Sequence, residues 1–461
     1  AKRTWVSCKK YYCVQKQFII VMKIESSDKM RTVLKIIISI FFVQASIYSL
    51  IYIVSTGRIR RPGFKINNGI KYIPFDNRKS LQRLATKNVR RTILPNTTVG
   101  KIMHSRLGTA RDHCKMAMKN GPVSNFLLHG YALTYPPKNL VYCITPKAGC
   151  TFWKRIFRFL NKDYVGELKN PFDITRIFSH FGPMNHTEKI YLTQGNITIL
   201  ARNFTFTFVR DPYARLWSAY IDKFLLPDFW VAFGKNIVAQ NRPNATQKSL
   251  KCGHNVSFRE FLQHILKSIK HGRRVSSHYL PIHQVCSPCH IHFDAIGKLE
   301  TFKQDVDYIL ERLGLSFLMK NYTFQTHEED EIVTLIDYNF WLEKRLPEEC
   351  FDPVMIAERL WKALQLKGYL DDTETFPEDS MKRLNKPETI RQELKNRVFK
   401  SLSGRGSSER HWMTRRRKWL VEGYKPVSNS VLKELLEEFQ YDFEIFGYQK
   451  KPADIFEGRY L

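Results

Sequence analysis

The sequence predicts an α/β fold, a mainly parallel sheet flanked by helices and preceded by one transmembrane helix, from three observations. LVYCIT (140–145) followed by TFWKRIFRFL (151–160) reads as strand, turn, helix, since apolar residues at 152, 153, 156, 157 and 160 recur at helical spacing. FTFTFVRDPYARLWSAYIDKF (204–224) repeats that order. A single run of 19 uncharged residues, IIISIFFVQASIYSLIYIV (36–54), has the length of one bilayer-spanning helix.

In chain order, residues 1–35 form a short tail before the anchor at 36–54. A cleaved signal is the weaker reading, because the run is long and lacks a small-residue cleavage pattern. Lysines and arginines are balanced across the anchor, so orientation comes from the Asn-x-Ser/Thr sequons. Asn96, Asn185, Asn196, Asn203, Asn244, Asn255 and Asn321 all follow it and none precedes it. That makes 1–35 a cytosolic tail and the rest lumenal, in a single-pass type II arrangement.

Residues 55–110, basic and interrupted by Pro62, Gly63, Pro74 and Pro95, read as a stem that holds a domain at 111–461 away from the membrane. In the second unit Phe204, Phe206 and Phe208 alternate with threonines as in a strand, and Asp211 with Pro212 supplies a helix N-cap and first helical residue. Parallel strands of this kind bind ligands beyond their carboxyl ends, where both marked turns fall. Further helices are expected over 258–269, 306–315 and from 431 towards 448. Residues 326–430, with an acidic stretch at 327–331 and a basic one at 403–419, read as an inserted subdomain or surface loop.

The charge balance of 74 Lys and Arg against 43 Asp and Glu, net +31, predicts a polyanionic partner, and 43% hydrophobic residues exclude a disordered chain. The anchor and sequons exclude nucleic acid and favour an anionic glycan or glycoprotein. Cys8 and Cys13 precede the anchor. Cys114, Cys143, Cys150, Cys252, Cys286, Cys289 and Cys350 follow it, an odd set that leaves at least one thiol unpaired. Cys286-x-x-Cys289 lacks a second ligand pair at zinc spacing, so disulfide chemistry is the better reading and no metal is expected.

The turn between 145 and 151 combines unpaired helix N-terminal N–H groups with Lys147, Gly149 and Thr151, the makings of an anion site. It is not the nucleotide-triphosphatase loop, in which the lysine follows the second glycine. Arg210 ends the second strand and Ser218 lies about two turns into the next helix, where one phosphate could meet both. Two such turns describe a ligand with two separated anionic groups.

PKAGCTFWKR, FVRDPYARLWSAYIDKF, HYLPIHQVCSPCHIHFDAIGKLET and YDFEIFGY together resemble the Golgi carbohydrate sulfotransferases, the group that includes the chondroitin, dermatan and N-acetylgalactosamine 4-O-sulfotransferases and the glucuronyl 3-O-sulfotransferase of the natural-killer-cell epitope. The resemblance covers 110–325 and 431–448. It implies a P-loop-like sulfotransferase core in the Golgi membrane, with 3′-phosphoadenosine 5′-phosphosulfate as donor and a glycan hydroxyl as acceptor. Pro146, Lys147, Ala148, Gly149, Cys150, Thr151 and Phe152 would cradle the 5′-phosphosulfate, and Arg210 and Ser218 the 3′-phosphate. Lys147 is the catalytic cation on this reading. His278 is the candidate base, ahead of His180 and Glu300. Phe152 stands where many relatives carry Asn, and 326–430 is far longer than the corresponding stretch of relatives. A glycan-binding relative without catalysis is the alternative, which the intact donor motifs oppose.

Overall fold

The computed structural model describes residues 97–119, 130–192, 200, 202–273, 275–320, 322–403 and 409–457. These lie in one compact unit, Ser80–Leu461. The expected anchor at 36–54, the tail before it and the stem as far as 96 lie outside the described residues, as do Asn96, Asn196 and Asn321. Among the described residues no helix is long and apolar enough to cross a membrane.

The main elements run α1 (Thr98–Lys119), β1 (Tyr131–Tyr135), β2 (Leu140–Cys143), α2 (Cys150–Leu160), α3 (Arg176–Phe181), β3 (Lys189–Tyr191), β4 (Phe204–Val209), α4 (Pro212–Tyr220), α5 (Phe258–Lys270), α6 (Ile282–Cys286), β5 (Ala295–Lys298) and α7 (Phe302–Arg312). Then follow α8 (Phe324–Trp341), α9 (Pro353–Leu366), α10 (Pro387–Ser403), α11 (Glu409–Tyr424), α12 (Asn429–Glu438) and α13 (Gln440–Phe446), with shorter helices between them.

The sheet order is β3-β1-β2-β4-β5. β2, β4 and β5 are parallel, whereas β1 runs antiparallel to both β2 and β3. The sheet is therefore mixed, which corrects the expectation of a mainly parallel one. The reason is a tight return at 136–139, where Pro136 and Pro137 open a 3₁₀ turn and Asn139 closes it with φ 48°. The parallel half carries both marked turns.

β4 is the central parallel strand. Its phenylalanines and threonines alternate as the sequence indicates, yet both faces are covered. Phe206 and Phe208 enter a cluster with Tyr142, Trp153 and Phe157. On the other face Thr207 donates to the Cys143 carbonyl at 3.1 Å and meets Thr145 Oγ1 at 3.1 Å, so each buried hydroxyl is satisfied. Asp211 accepts from the Ala214 N–H at 2.9 Å and Pro212 opens α4, as the capping signal predicts.

α1 crosses the expected stem boundary at 110 and belongs to the body, with Arg106 bonded to Asp305 at 2.7 Å and Thr301 at 2.9 Å beside β5. Residues 326–430 are largely helical and share the main core. Ile332, Ile336, Leu360, Leu394 and Leu420 lie in the same cluster as Leu216 and Phe261. Tyr424 stands edge-on to Tyr213 and Phe258, and donates to the Tyr213 carbonyl at 3.1 Å.

Among the described residues three disulfides, Cys114–Cys289, Cys143–Cys286 and Cys252–Cys350, close long loops, and Cys150 is free. Cys286 and Cys289 each take a distant partner, which leaves no thiolate for zinc.

The sequons separate by burial. Asn185, Asn244 and Asn255 are exposed, but Asn203 is half-buried at the entry to β4 and its sequon Thr205 is fully buried. Peptide-level glycan mapping of protein that has passed through the secretory pathway is expected to leave Asn203 bare. Occupancy there would overturn the placement of β4.

Candidate functional site

β2 and β4 are adjacent and parallel, so the turn after each emerges at the same edge of the sheet. The first turn leaves Thr145 and enters α2 at Cys150. Lys147 adopts φ 71°, unusual for a residue with a Cβ, and Gly149 adopts φ 82°. A Cβ on Gly149 would lie 2.6 Å from the Phe302 ring, so both conformation and space require glycine there. Ala148 is fully buried beneath the turn, and Cys150 and Thr151 are partly exposed at the start of α2.

Arg210, at the end of β4, is buried and donates from Nη1 to the Lys147 carbonyl at 3.2 Å. The two turns are thus bonded to each other. Burial and the nearby Arg416 push Arg210 down to about 9, still cationic at neutral pH. Ser218 is buried on α4. Arg215, on the same helix, donates to the Pro146 carbonyl at 3.0 Å, to Leu280 at 2.7 Å and to Ser277 at 2.8 Å. That one guanidinium joins the first turn to the segment that carries His278.

After α4 the chain widens into a π-helical turn, Ile221–Leu225. Asp222 and Lys223, neighbours in sequence, are both buried there. Asp222 pairs with Lys147 and, at 2.9 Å, with Lys367 just past the end of α9. Burial alone would raise Asp222, but Lys147, Lys367 and Arg176 outweigh it and hold the carboxylate well below its usual range. Burial pulls Lys147 down to about 7 against the opposing attraction of Asp222. Lys223 pairs with Asp228, which also accepts from Tyr338 Oη at 2.8 Å.

The two candidate histidines differ. His180 Nδ1 lies 3.1 Å from Lys154 Nζ, which can only donate, so Nδ1 is the acceptor and Nε2–H faces Thr151 Oγ1 at 3.0 Å. Its lone pair is already used. His278 Nδ1 meets Ser276 Oγ at 3.1 Å, and its ring stands edge-on to Phe229. Burial, then Lys223, Lys147, Lys154 and Arg215, drive His278 well below its ordinary value, so it is neutral at neutral pH. Glu300 is committed elsewhere, accepting from the Asp211 N–H at 3.0 Å and from Tyr448 Oη at 2.9 Å.

Phe152 turns away from the cradle. Its ring packs 5.0–5.8 Å from those of Trp153, Phe172, Phe302 and Tyr322, which leaves only its backbone for an anion. Sequence reasoning missed Arg215, Asp222, Lys223 and Lys367. The first three sit inside the quoted motif, where charges interrupt an apolar pattern. Lys367 carried no signal. A cavity of about 410 Å³ opens beside this cluster, not within it, and shares Arg176 with its edge.

The arrangement offers converging cations, a neutral imidazole and N–H groups at a helix start, a set that holds anions and stabilises developing oxygen charge. Comparison with known proteins agrees. Residues 131–339 match the sulfotransferase family, and the resemblance to carbohydrate sulfotransferases holds. The chain is 34% identical to carbohydrate sulfotransferase 11 of Mus musculus over 42% of its own length and 56% of the relative's. It is 34% identical to carbohydrate sulfotransferase 9 of Homo sapiens over 48% and 50%, and 34% identical to carbohydrate sulfotransferase 8 of Mus musculus over 37% and 40%. The chain thus spans about half the length of these relatives. No solved structure matches it.

Replacing Arg215 by Met leaves three buried carbonyls without their donor and is expected to cost about 3–5 kcal/mol of stability by denaturant titration. Arg215→Lys is expected to recover only part, since an ammonium cannot span three acceptors as a guanidinium fork does. A loss under about 1 kcal/mol for both would show that the bridge is dispensable.

Proposed function

We propose that this protein transfers a sulfuryl group from 3′-phosphoadenosine 5′-phosphosulfate to a hydroxyl of a glycan, a chain containing N-acetylgalactosamine or uronate such as chondroitin. The observation that carries the reading is Arg210. It is a buried guanidinium whose hydrogen bond goes to the Lys147 carbonyl, with a second arginine nearby and no carboxylate ion-paired to it among the described residues. Glu300, Asp211 and Asp222 attract it from beyond ion-pair distance, so a bound anion would be its direct partner. Its bond to the Lys147 carbonyl supports a position for that anion next to the first turn.

On this reading Arg210 and Ser218 hold the donor's 3′-phosphate, and residues 146–152 hold the 5′ end, Phe152 through its backbone. Lys147 leaves Asp222 to meet the bridging oxygen, and Lys367 stays on Asp222, so that carboxylate is not stranded. The acceptor oxygen forms a bond to sulfur as the bond from sulfur to the bridging oxygen breaks. Charge builds on the departing phosphate, where Lys147 neutralises it. His278 takes the hydroxyl proton on Nε2 while Nδ1–H donates to Ser276. The products are a sulfate ester and adenosine 3′,5′-bisphosphate.

A setting in the Golgi lumen, with the body anchored as a type II protein, is part of the proposal. It is supported by the apolar run at 36–54, the one-sided sequons and three disulfides of the kind that persist in oxidising compartments.

Lys147→Ala and Arg210→Ala, folded as judged by circular dichroism, are expected to lose roughly a hundred- to a thousandfold in sulfate transfer from labelled donor to desulfated chondroitin. Unchanged transfer in either would remove that residue from the site. Two pH effects follow from the shifted groups. His278 must be neutral to accept a proton and its value is lowered, so the acid limb of kcat/KM is expected well below pH 6.5; a limb at or above 6.5 excludes it as the base. Lys147 titrates near 7 in the free protein and is held charged by a phosphate, so donor binding is expected to take up more protons at pH 8 than at pH 6. Calorimetry in buffers of different ionisation enthalpy reads this directly, and equal uptake at both pH values would remove Lys147 from the donor contact.

A further inference from the structure

α3 ends in a residue that folding leaves outside the core. Phe181 is 48% exposed, one position after His180, whose ring hydrogen-bonds Thr151 of the cradle. Its ring stacks on Trp341 at 5.2 Å and lies parallel to Tyr338 at 6.2 Å. Arg345 spreads its guanidinium over Phe181 at 4.8 Å and over Trp341 at 4.2 Å, and Arg176 lies over Tyr338 at 4.9 Å. Neither arginine is ion-paired with a carboxylate among the described residues. A guanidinium engaged with aromatic rings and not with a carboxylate still has N–H groups to offer a carboxylate or sulfate.

The platform is built against the site. Tyr338 donates to Asp228, which pairs with Lys223 beside His278. Behind it lies the cavity of about 410 Å³, bordered by Phe172, Arg176, Tyr338, Trp341, Lys344 and Arg391. Aromatic faces with fixed cations match a sugar ring, whose C–H face is apolar and whose substituents are anionic. A nucleotide would leave the two arginines far from the turns that hold its phosphates.

We propose that Phe181, Trp341 and Arg345, with Arg176, form the acceptor platform. A sugar ring of an anionic glycan lies against the exposed side of Phe181, at the edge of its stack with Trp341, and its charged group on Arg345 and Arg176, which presents the neighbouring hydroxyl towards His278. Trp341 and Arg345 come from 326–430 and lie beyond the matched span 131–339. On this account the insertion sets which glycan is accepted. The inference rests on the sulfuryl-transfer reading above.

The test compares wild type with Phe181→Ala and Arg345→Gln in the full chain. Acceptors are desulfated chondroitin, which keeps its carboxylates, and the same chain with its carboxylates reduced to alcohols. The expected result for either variant is a rise of roughly tenfold in KM for desulfated chondroitin, the equivalent of one charge-assisted contact, with KM for donor unchanged. For Arg345→Gln the preference for the carboxylated chain over the reduced one should also shrink. An unchanged acceptor KM, or an equal rise in donor KM, overturns the platform. Direct binding of labelled chondroitin keeps the two readings apart. If wild type transfers no sulfate but binds the chain and both variants lose binding, the reaction fails and the platform stands. If transfer is intact and the variants bind as wild type does, the platform alone fails.

Discussion

Arg215 is the contact on which the site depends. Its guanidinium is 1% exposed and gives all its hydrogen bonds to main-chain carbonyls, of Pro146 in the first turn and of Ser277 and Leu280 on the far wall. Burial holds it at about 10, so the charge persists at neutral pH. Burying it costs free energy that three well-formed acceptors offset. In return, two loops separated by more than a hundred residues take up a fixed spacing, and the imidazole of His278 keeps its position relative to Lys147.

A second device works by helix geometry. α4 begins as an ordinary capped helix and gives way to a π-helical turn at Ile221. Such turns often lie at functional sites because they re-aim successive side chains. Here the change lets Asp222 face Lys147 and Lys367 while Lys223 faces Asp228. Farther away, Asp442 of α13 accepts from the N–H groups of Ile282 and His283 at 2.6 and 2.8 Å and so caps α6. The terminal motif YDFEIFGY thus serves a helix some 160 residues earlier in the chain.

Local features were legible in the sequence and non-local ones were not. The two strand-turn-helix units, the Asp211 cap and the closeness of Lys147 and Arg210 follow from spacing and parallel pairing, which act over a few residues or one sheet register. The antiparallel edge escaped because β1 and β3 are short and leave a weak pattern. Lys367 reaches Asp222 from the insertion through tertiary packing that no period encodes. The direction of the Phe152 ring was not legible, because a position near a ligand turn says nothing of the rotamer, and the aromatic cluster around Phe302 and Tyr322 decides that. Cys286 and Cys289 look like a pair by spacing, yet the end of α6 and the loop beyond it point them to opposite partners, Cys143 and Cys114.

The Cys143–Cys286 bond joins the residue that closes β2, just before the cradle, to the helix that follows the His278 segment. Two walls of the cleft are therefore fastened by a step of oxidation rather than by packing alone. The redox poise around the nascent chain becomes an ingredient of the binding geometry, and the same polypeptide made where thiols stay reduced would lack that fastening. Competence is in this sense acquired along with the environment in which the chain matures.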